Sequence, residues 1–402
     1  MLATALLPAF LASAPVDPAL AGRFARLALA ALLVVSALSA RIAEGQVRIE
    51  YVAHSCFVVV SPGGVRALVD PYNGTRWLGY SFPAPIAADV VLVTHPHYDH
   101  DASYYASGHA PVLRRPGEYA VGDLRIVGVE GRHAEPWGEE FGGINTLWLV
   151  EIGGLRIAHL GDTGPLSAES LRALGRVDVL MLPIDDQEHV LKNSEIAAIR
   201  KALQPRVTVP MHYRLAEVTS LPESLGTIDR WLLDQEGVVR LGAHETVLER
   251  LPAKPQVLVF SRSPKVAPWA AELREAWTHR HRARGAPKTP EGREQAIADL
   301  RRAVALAPQC MVFSVELGRA LVESGRNEEA VAVLERALAA AGGDDWEYTL
   351  RARDLLADLY ARRGDAVRAA LQYRLVQRDA YQKELRERAE AFLGAGSGAS
   401  RR

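Results

Sequence analysis

From residue 47 the chain is built of short apolar runs. VRIEYV (47–52), SCFVVV (55–60) and VRALVD (65–70) predict three strands, with Pro62-Gly63-Gly64 as a turn. DVVLVT (89–94) predicts another that runs straight into His95. LRIVGV (124–129), NTLWLVEI (145–152) and LRIAHL (155–160) predict further strands, the last two joined at Gly153-Gly154. The pattern then alternates. A helix over 167–174 capped by Ser167, a strand over 177–182, a helix over 194–203 and a strand over 206–211 follow in turn. Hairpins first and β-α-β units later predict stacked sheets covered by helices.

Near 251 the texture changes. Pro252, Pro255, Pro264 and Pro268, with the basic stretch 278–284 (THRHRAR), predict a solvated linker over 251–288. From 289 to 392 the apolar positions take helical spacing and repeat. Ala296, Leu300 and Ala303 recur as Ala330, Leu334 and Ala337, an offset of 34, and a further unit, Leu355–Gly364–Ala369, follows with Gly364 and Ala369 offset by 39 from Gly325 and Ala330. This stretch resembles a tetratricopeptide array, which implies helical hairpins and a surface for a protein partner. GAGSGASRR closes the chain, and residues 393–402 read as a disordered tail. At the other end, Arg23 and Arg26 precede the apolar run 27–38 and the small residues Ser39-Ala40. That pattern predicts a signal peptide or membrane anchor over 1–45, hence an exported (periplasmic or extracytoplasmic) or membrane-anchored protein; a buried amphipathic helix is the alternative.

Composition narrows the classes. A chain of 402 residues is long for one core and predicts two domains. Lys+Arg of 47 against Asp+Glu of 48 leaves no global field for a polyanion, so no nucleic acid is expected as partner. Cys56 and Cys310 are the only cysteines, which excludes a disulfide scaffold and a Cys-rich zinc module.

The chemistry concentrates in His95-Pro96-His97-Tyr98-Asp99-His100, placed where a strand ends. Metal ions need neutral imidazoles and carboxylates converging at ~2 Å. His95 and His97 can face one ion, and Asp99 and His100 a second. His133, Asp162 and His212 each follow an apolar strand and are the further candidates.

With these motifs, residues 46–250 resemble the metallo-β-lactamase superfamily. The resemblance rests on HxHxDH at 95–100, His133, Gly161-Asp162-Thr163 and His212. It implies an α/β fold, an αββα sandwich, followed here by the all-α tetratricopeptide-like domain. It also implies two divalent metal ions, zinc first, with manganese and iron as alternatives. His95, His97 and His133 would hold the first ion, Asp99, His100 and His212 the second, and Asp162 would bridge them. Asp70 matches an early family Asp that supports the metal loop. AHSCF (53–57), VDPY (69–72), HLGDTG (159–164) and PMHY (210–213) are similar to the branch around ascorbate-6-phosphate lactonase, bordering N-acyl-phosphatidylethanolamine phospholipase D. Asp162 in place of a Cys argues against antibiotic hydrolysis. His97 argues against a diiron redox centre, and the short span from Asp162 to His212 against a nuclease insertion.

The expected activity is hydrolysis of an ester, lactone or phosphoester in a small molecule by a hydroxide bridging the two ions. Asp99, as catalytic residue, would also steer its proton. The alternative is a non-catalytic scaffold whose helical repeats recruit a partner. His54 falls near the mouth of the site or is a core histidine. Tyr98 and Trp137 are candidate pocket walls. Tyr213 and Arg214 are candidates for gripping an anionic group, with Arg214 equally readable as a surface salt-bridge residue. His159 reads as structural, and Asp185-Asp186-Gln187-Glu188-His189 as a solvated acidic loop.

Overall fold

The computed structural model describes residues 46–136, 138–219, 225–340 and 346–399. The expected signal or anchor segment 1–45 and Trp137 lie outside them. Gln46 onward forms one compact unit. Among the described residues no helix is long and apolar enough to cross a membrane.

β1 (Val47–Ala53), β2 (Cys56–Val60) and β3 (Arg66–Val69) form an antiparallel meander. β4 (Ile86–Ala87) and β6 (Ala106–Ser107) make a small separate pair, while β5 (Val90–Leu92) and β7 (Val112–Leu113) extend the meander in parallel. The second sheet takes β8 (Gly117–Val121), β9 (Leu124–Arg132), β10 (Ile144–Ile152), β11 (Leu155–His159), β12 (Val179–Pro183) and β13 (Val207–Met211). β14 (Val238–Arg240) and β16 (Gln256–Val259) complete it, and β15 (Glu245–Leu248) returns to pair with β1. The orders are β15-β1-β2-β3-β5-β7 and β14-β16-β13-β12-β11-β10-β9-β8.

The sheets stack through alternate side chains. Ile49, Phe57, Val59 and Leu92 of one share a buried cluster with Ile126, Trp148, Ile157 and Val209 of the other. The opposite faces of the second sheet are apolar too, and Leu149, Leu180 and Leu182 join Ile196, Ile199 and Leu203 of a covering helix. Burial on both sides is why these strands read as unbroken apolar runs. The covering helices are α1 (Ala168–Leu174), α2 (Asn193–Leu203) and α3 (Asp229–Leu233). Ser167 caps α1 as expected, its Oγ accepting from Ser170 N at 3.0 Å.

The stretch 251–288 is not a linker. β16 pairs with both β13 and β14, so the prolines at 252 and 255 flank a strand of the main sheet. The basic run lies in α4 (Ala271–Gly285), whose buried positions Ala276, Trp277, Arg280 and Ala283 make one helical face. Arg280 hides the periodicity from a hydrophobicity reading. It is buried because it donates twice to Glu316, at 2.7 and 3.0 Å, and lies over Trp277.

Six further helices continue the array: α5 (Pro290–Leu306), α6 (Met311–Glu323), α7 (Asn327–Ala340), α8 (Trp346–Arg362), α9 (Ala366–Asp379) and α10 (Lys383–Ala399). The helical region therefore starts at α4, before residue 289, and its last helix runs through 393–399, part of the expected tail. Phe392 and Leu393 pack there against the cluster around Tyr373 and Leu385. Gly318 lets α6 and α7 approach closely, since a Cβ there would meet Leu334 at 3.1 Å.

Asp354 on α8 is buried with Arg388 of α10 at 3.1 Å. Burial pushes its carboxyl up to about 6 from an ordinary 3.8, against the pull of Arg388. The folded chain thus binds this proton more tightly than the unfolded chain. The stability so gained is full below about pH 4 and is lost as pH rises through about 6, a swing of roughly 3 kcal/mol. Asp354→Asn is expected to flatten that stretch of the stability profile, read as urea midpoints from pH 4 to 7. An unchanged profile refutes the assignment.

Candidate metal centre

The site residues leave the ends of strands that run in one direction within each sheet. β1, β3 and β5 share a direction in the first sheet, as do β9, β11, β12 and β13 in the second. Their ends deliver His54, Asp70, the 95–100 loop, His133, Asp162, Asp185 and His212 to one rim. Three of these sit in left-handed backbone: His54 (φ 58°), Asp70 (φ 45°) and His212 (φ 59°). Such a conformation in non-glycine residues persists only where the surroundings enforce it. Here His212 N donates to His54 O at 3.0 Å and Asp70 N to Leu92 O at 2.9 Å. Gly161 cannot be replaced without a shift, because a Cβ there would lie 2.5 Å from Asn145 Oδ1 and Thr94 Oγ1.

Two four-residue clusters result. One is His95, His97, His133 and Asp162; the other is His54, Asp99, His100 and His212, and each holds its ligand atoms within 4.8 Å of one another. Asp162 spans both. Its Oδ1 lies 3.2 Å from His100 Nε2, and its Oδ2 lies 3.1 Å from His212 Nε2, 3.8 Å from His133 Nε2 and 3.9 Å from His95 Nε2.

The protein also orients the rings. His100 Nδ1 donates to Asp70 Oδ2 at 2.7 Å. Thr94 Oγ1 donates to the same oxygen at 2.7 Å and accepts from His95 Nδ1 at 3.0 Å, while His133 Nδ1 donates to Ala134 O at 2.9 Å. With Nδ1 tied in each case, Nε2 is the nitrogen left facing the cluster. Buried His100 Nε2, His133 Nε2, both nitrogens of His212 and Asp162 Oδ1 have no aligned hydrogen-bond partner. Atoms this close yet unaligned with each other face shared centres, and orphaned buried ligand atoms of this kind are satisfied by a cation. The donor set fits two divalent ions.

Burial, with His212 beside it, lowers His54 to about 4. Burial likewise lowers His95 and His133, which keeps these imidazoles neutral and ready to ligate. Burial alone would lower His100 too, but Asp162, Asp70 and Asp99 hold it well above the usual imidazole range. Against the same burial penalty, His100 and its neighbours hold Asp99 and Asp162 well below the carboxylate range.

Other candidates fall differently. His54 is fully buried in the second cluster, its Nε2 3.2 Å from Asp99 Oδ2, not at the mouth. Asp70 touches no cluster centre and acts through Thr94 and His100. Tyr98 is covered by Arg76, whose guanidinium carbon lies 3.2 Å from its ring centroid. Tyr213 is buried, its ring stacked on Tyr51 at 6.5 Å. Arg214 is half-buried, its backbone N donating to Gly226 O at 2.9 Å. His159 is buried between Ser55 O and Gly161 N.

Gln187 and Glu188 are exposed as a solvated loop would have them, but the two aspartates before them are held by the fold. Asp185 accepts from Gly226 N (2.8 Å) and His189 N (2.9 Å). Asp186 accepts from Trp231 N (2.8 Å) and Thr227 Oγ1 (2.7 Å), securing the start of α3. His189, read from the sequence only as part of the acidic loop, stacks on His212 at 6.0 Å. Phe141 packs edge-on to His97 at 4.8 Å, beside the first cluster.

This chain is similar to known proteins in two separate stretches. Residues 48–212 match the beta-lactamase superfamily domain, and residues 311–378 match the tetratricopeptide repeat. The UPF0173 metal-dependent hydrolase of Thermoplasma acidophilum is 29% identical over 183 residues, 40% of this chain and 80% of that protein. Its counterpart in Methanosphaera stadtmanae is 29% identical over 197 residues, covering 41% and 83%. A solved metallo-beta-lactamase-superfamily structure from Thermotoga maritima is 27% identical, covers 54% of this chain and 100% of its own, and aligns with a TM-score of 0.44. The chain carries a domain of the metallo-β-lactamase hydrolase superfamily, with two buried His/Asp clusters, and a tetratricopeptide-like helical region.

Proposed function

We propose that the protein is a dinuclear metal-dependent hydrolase acting on an ester, lactone or phosphoester of a small molecule. The observation that carries it is Asp162, whose two oxygens face the imidazoles of both clusters. His95, His97, His133 and Asp162 would hold one ion; Asp99, His100 and His212, with Asp162, would hold the other. Zinc is the proposed metal, since every donor is nitrogen or oxygen and the imidazole share is high. Bound there, the ions supply a water nucleophile at neutral pH and polarise the oxygen of the scissile group. Asp99, ionised and held by His54, takes the proton of the attacking water. The motifs AHSCF, VDPY and PMHY favour the lactonase and phospholipase D neighbourhood within the superfamily. The same proposal extends to export or anchoring through residues 1–45 and to a protein partner for the helical repeats.

Elemental analysis of the purified full chain, coupled to turnover of generic esters and phosphodiesters, tests this. The expected result is about two divalent ions per chain, with turnover lost on chelation and in His97→Ala. Metal-free protein, or turnover indifferent to both treatments, overturns it.

A further inference from the structure

The loop Asn73–Leu78 lies just beyond Asp70, and the helical region holds its backbone. Trp269 Nε1 donates to Gly74 O (2.5 Å), Trp277 Nε1 donates to Thr75 O (3.1 Å), and Cys310 Sγ lies 3.8 Å from the same Thr75 oxygen. Gly74 is required there, as a Cβ would come within 2.3 Å of Phe82 N. From this loop the buried Arg76 reaches outward. Its guanidinium carbon lies 3.2 Å from the Tyr98 ring centroid and 4.5 Å from that of Tyr348, and its Nη1 donates to Glu347 Oε2 at 2.9 Å. Glu347, at the start of α8, also accepts from Arg351 Nε at 3.0 Å. Burial pushes the Glu347 carboxyl up, but Arg76 and Arg351 outweigh it and hold it ionised below its ordinary range.

Tyr98 stands between His97 and Asp99, one member of each cluster, and its carbonyl accepts from Asn73 N at 2.7 Å. Trp77, next to Arg76, presents its ring edge-on to His54 at 6.0 Å. α10 also comes near the 139–141 segment that carries Phe141. A guanidinium enclosed by two aromatic faces and a carboxylate is a desolvated joint, with strong directional contacts in low dielectric. Rotating Tyr98 means breaking it.

We propose that Glu347, through Arg76, is a positioning residue for Tyr98 and hence for the ligand-bearing residues on either side. The helical region is then a structural part of the metal site, in addition to any docking role. The inference rests on the two-metal reading only for its metal-affinity arm. A pair that merely glued the two regions together would change global stability and leave the 95–101 loop untouched.

Two readouts on the full chain separate these cases. The first, on metal-stripped protein, is amide hydrogen exchange at His100 and Asp101, which both donate to His97 O (2.9 and 2.7 Å), and at Asn73. The second is zinc affinity by chelator competition. Glu347→Gln and Arg76→Lys are each expected to speed exchange at these amides about tenfold and to weaken zinc about tenfold, as loss of an outer partner does. Lysine keeps the charge and loses the planar stack, so Arg76→Lys decides the matter if Glu347→Gln does not fold. Glu316→Gln, which breaks the Arg280 pair inside the helical region at 2.7 Å, is the control and is expected to change neither readout. If exchange at His100, Asp101 and Asn73 in the two variants matches that control, the inference is overturned. Failure of the two-metal reading looks different: the unmodified chain takes up no zinc, and the exchange experiment still decides.

Discussion

Asp162→Asn is expected to lower kcat/KM about a thousandfold, roughly 4 kcal/mol of transition-state stabilisation, and to drop bound metal from two ions to one or none. The substitution keeps shape and volume, so packing in the Gly161–Thr163 turn is undisturbed. It removes a carboxylate that, among the described residues, faces both clusters, and leaves one ligating oxygen where there were two. Oδ1 stands 3.2 Å from His100 Nε2 and Oδ2 3.1 Å from His212 Nε2, so whichever oxygen becomes nitrogen, one side of the site loses its carboxylate oxygen. Both ions retained with near-normal turnover would mean that the two clusters work independently.

For Asp70→Asn the expected losses are 10–100-fold in metal affinity and about 3 kcal/mol in folding stability. Asp70 is fully buried and accepts three hydrogen bonds: Thr94 N at 2.8 Å, Thr94 Oγ1 at 2.7 Å and His100 Nδ1 at 2.7 Å. An amide in its place must point NH2 at one of those donors. That leaves a buried donor unpaired and releases either His100 or the Thr94–His95 relay. Asparagine tolerates the left-handed backbone at φ 45°, which separates the hydrogen-bond effect from strain. Urea unfolding in excess chelator reads the folding part, and chelator competition the metal part. Normal zinc affinity in a folded variant would show that the imidazoles are held in place without this carboxylate.

Much of the site was legible because its residues share a one-dimensional signature. His95, His133, Asp162 and His212 are isolated ligand-capable side chains directly after apolar runs, and an apolar run that ends at such a residue usually ends at a sheet rim. The strands were legible for the same reason, being buried on both faces. What escaped was decided by side-chain direction. His54 and Tyr213 look alike from their neighbours, yet one joins the second cluster and the other stacks on Tyr51. The Asp185 and Asp186 carboxylates read as solvated because their partners, Gly226 and Trp231, are forty residues away in sequence. Arg280 masked α4 because a buried arginine breaks the apolar count unless its glutamate partner is known.

By itself, then, the sequence determined the kinds of element, the sandwich with its helical array, and the inventory of imidazoles and carboxylates able to hold metal. These follow from local rules of periodicity, turn chemistry and ligand type. Tertiary structure alone decided that Asp70 works through Thr94 and His100, and that Glu347 reaches the 95–100 loop through Arg76. Each of those depends on strand register and on contacts between residues far apart in the chain, which no local pattern encodes.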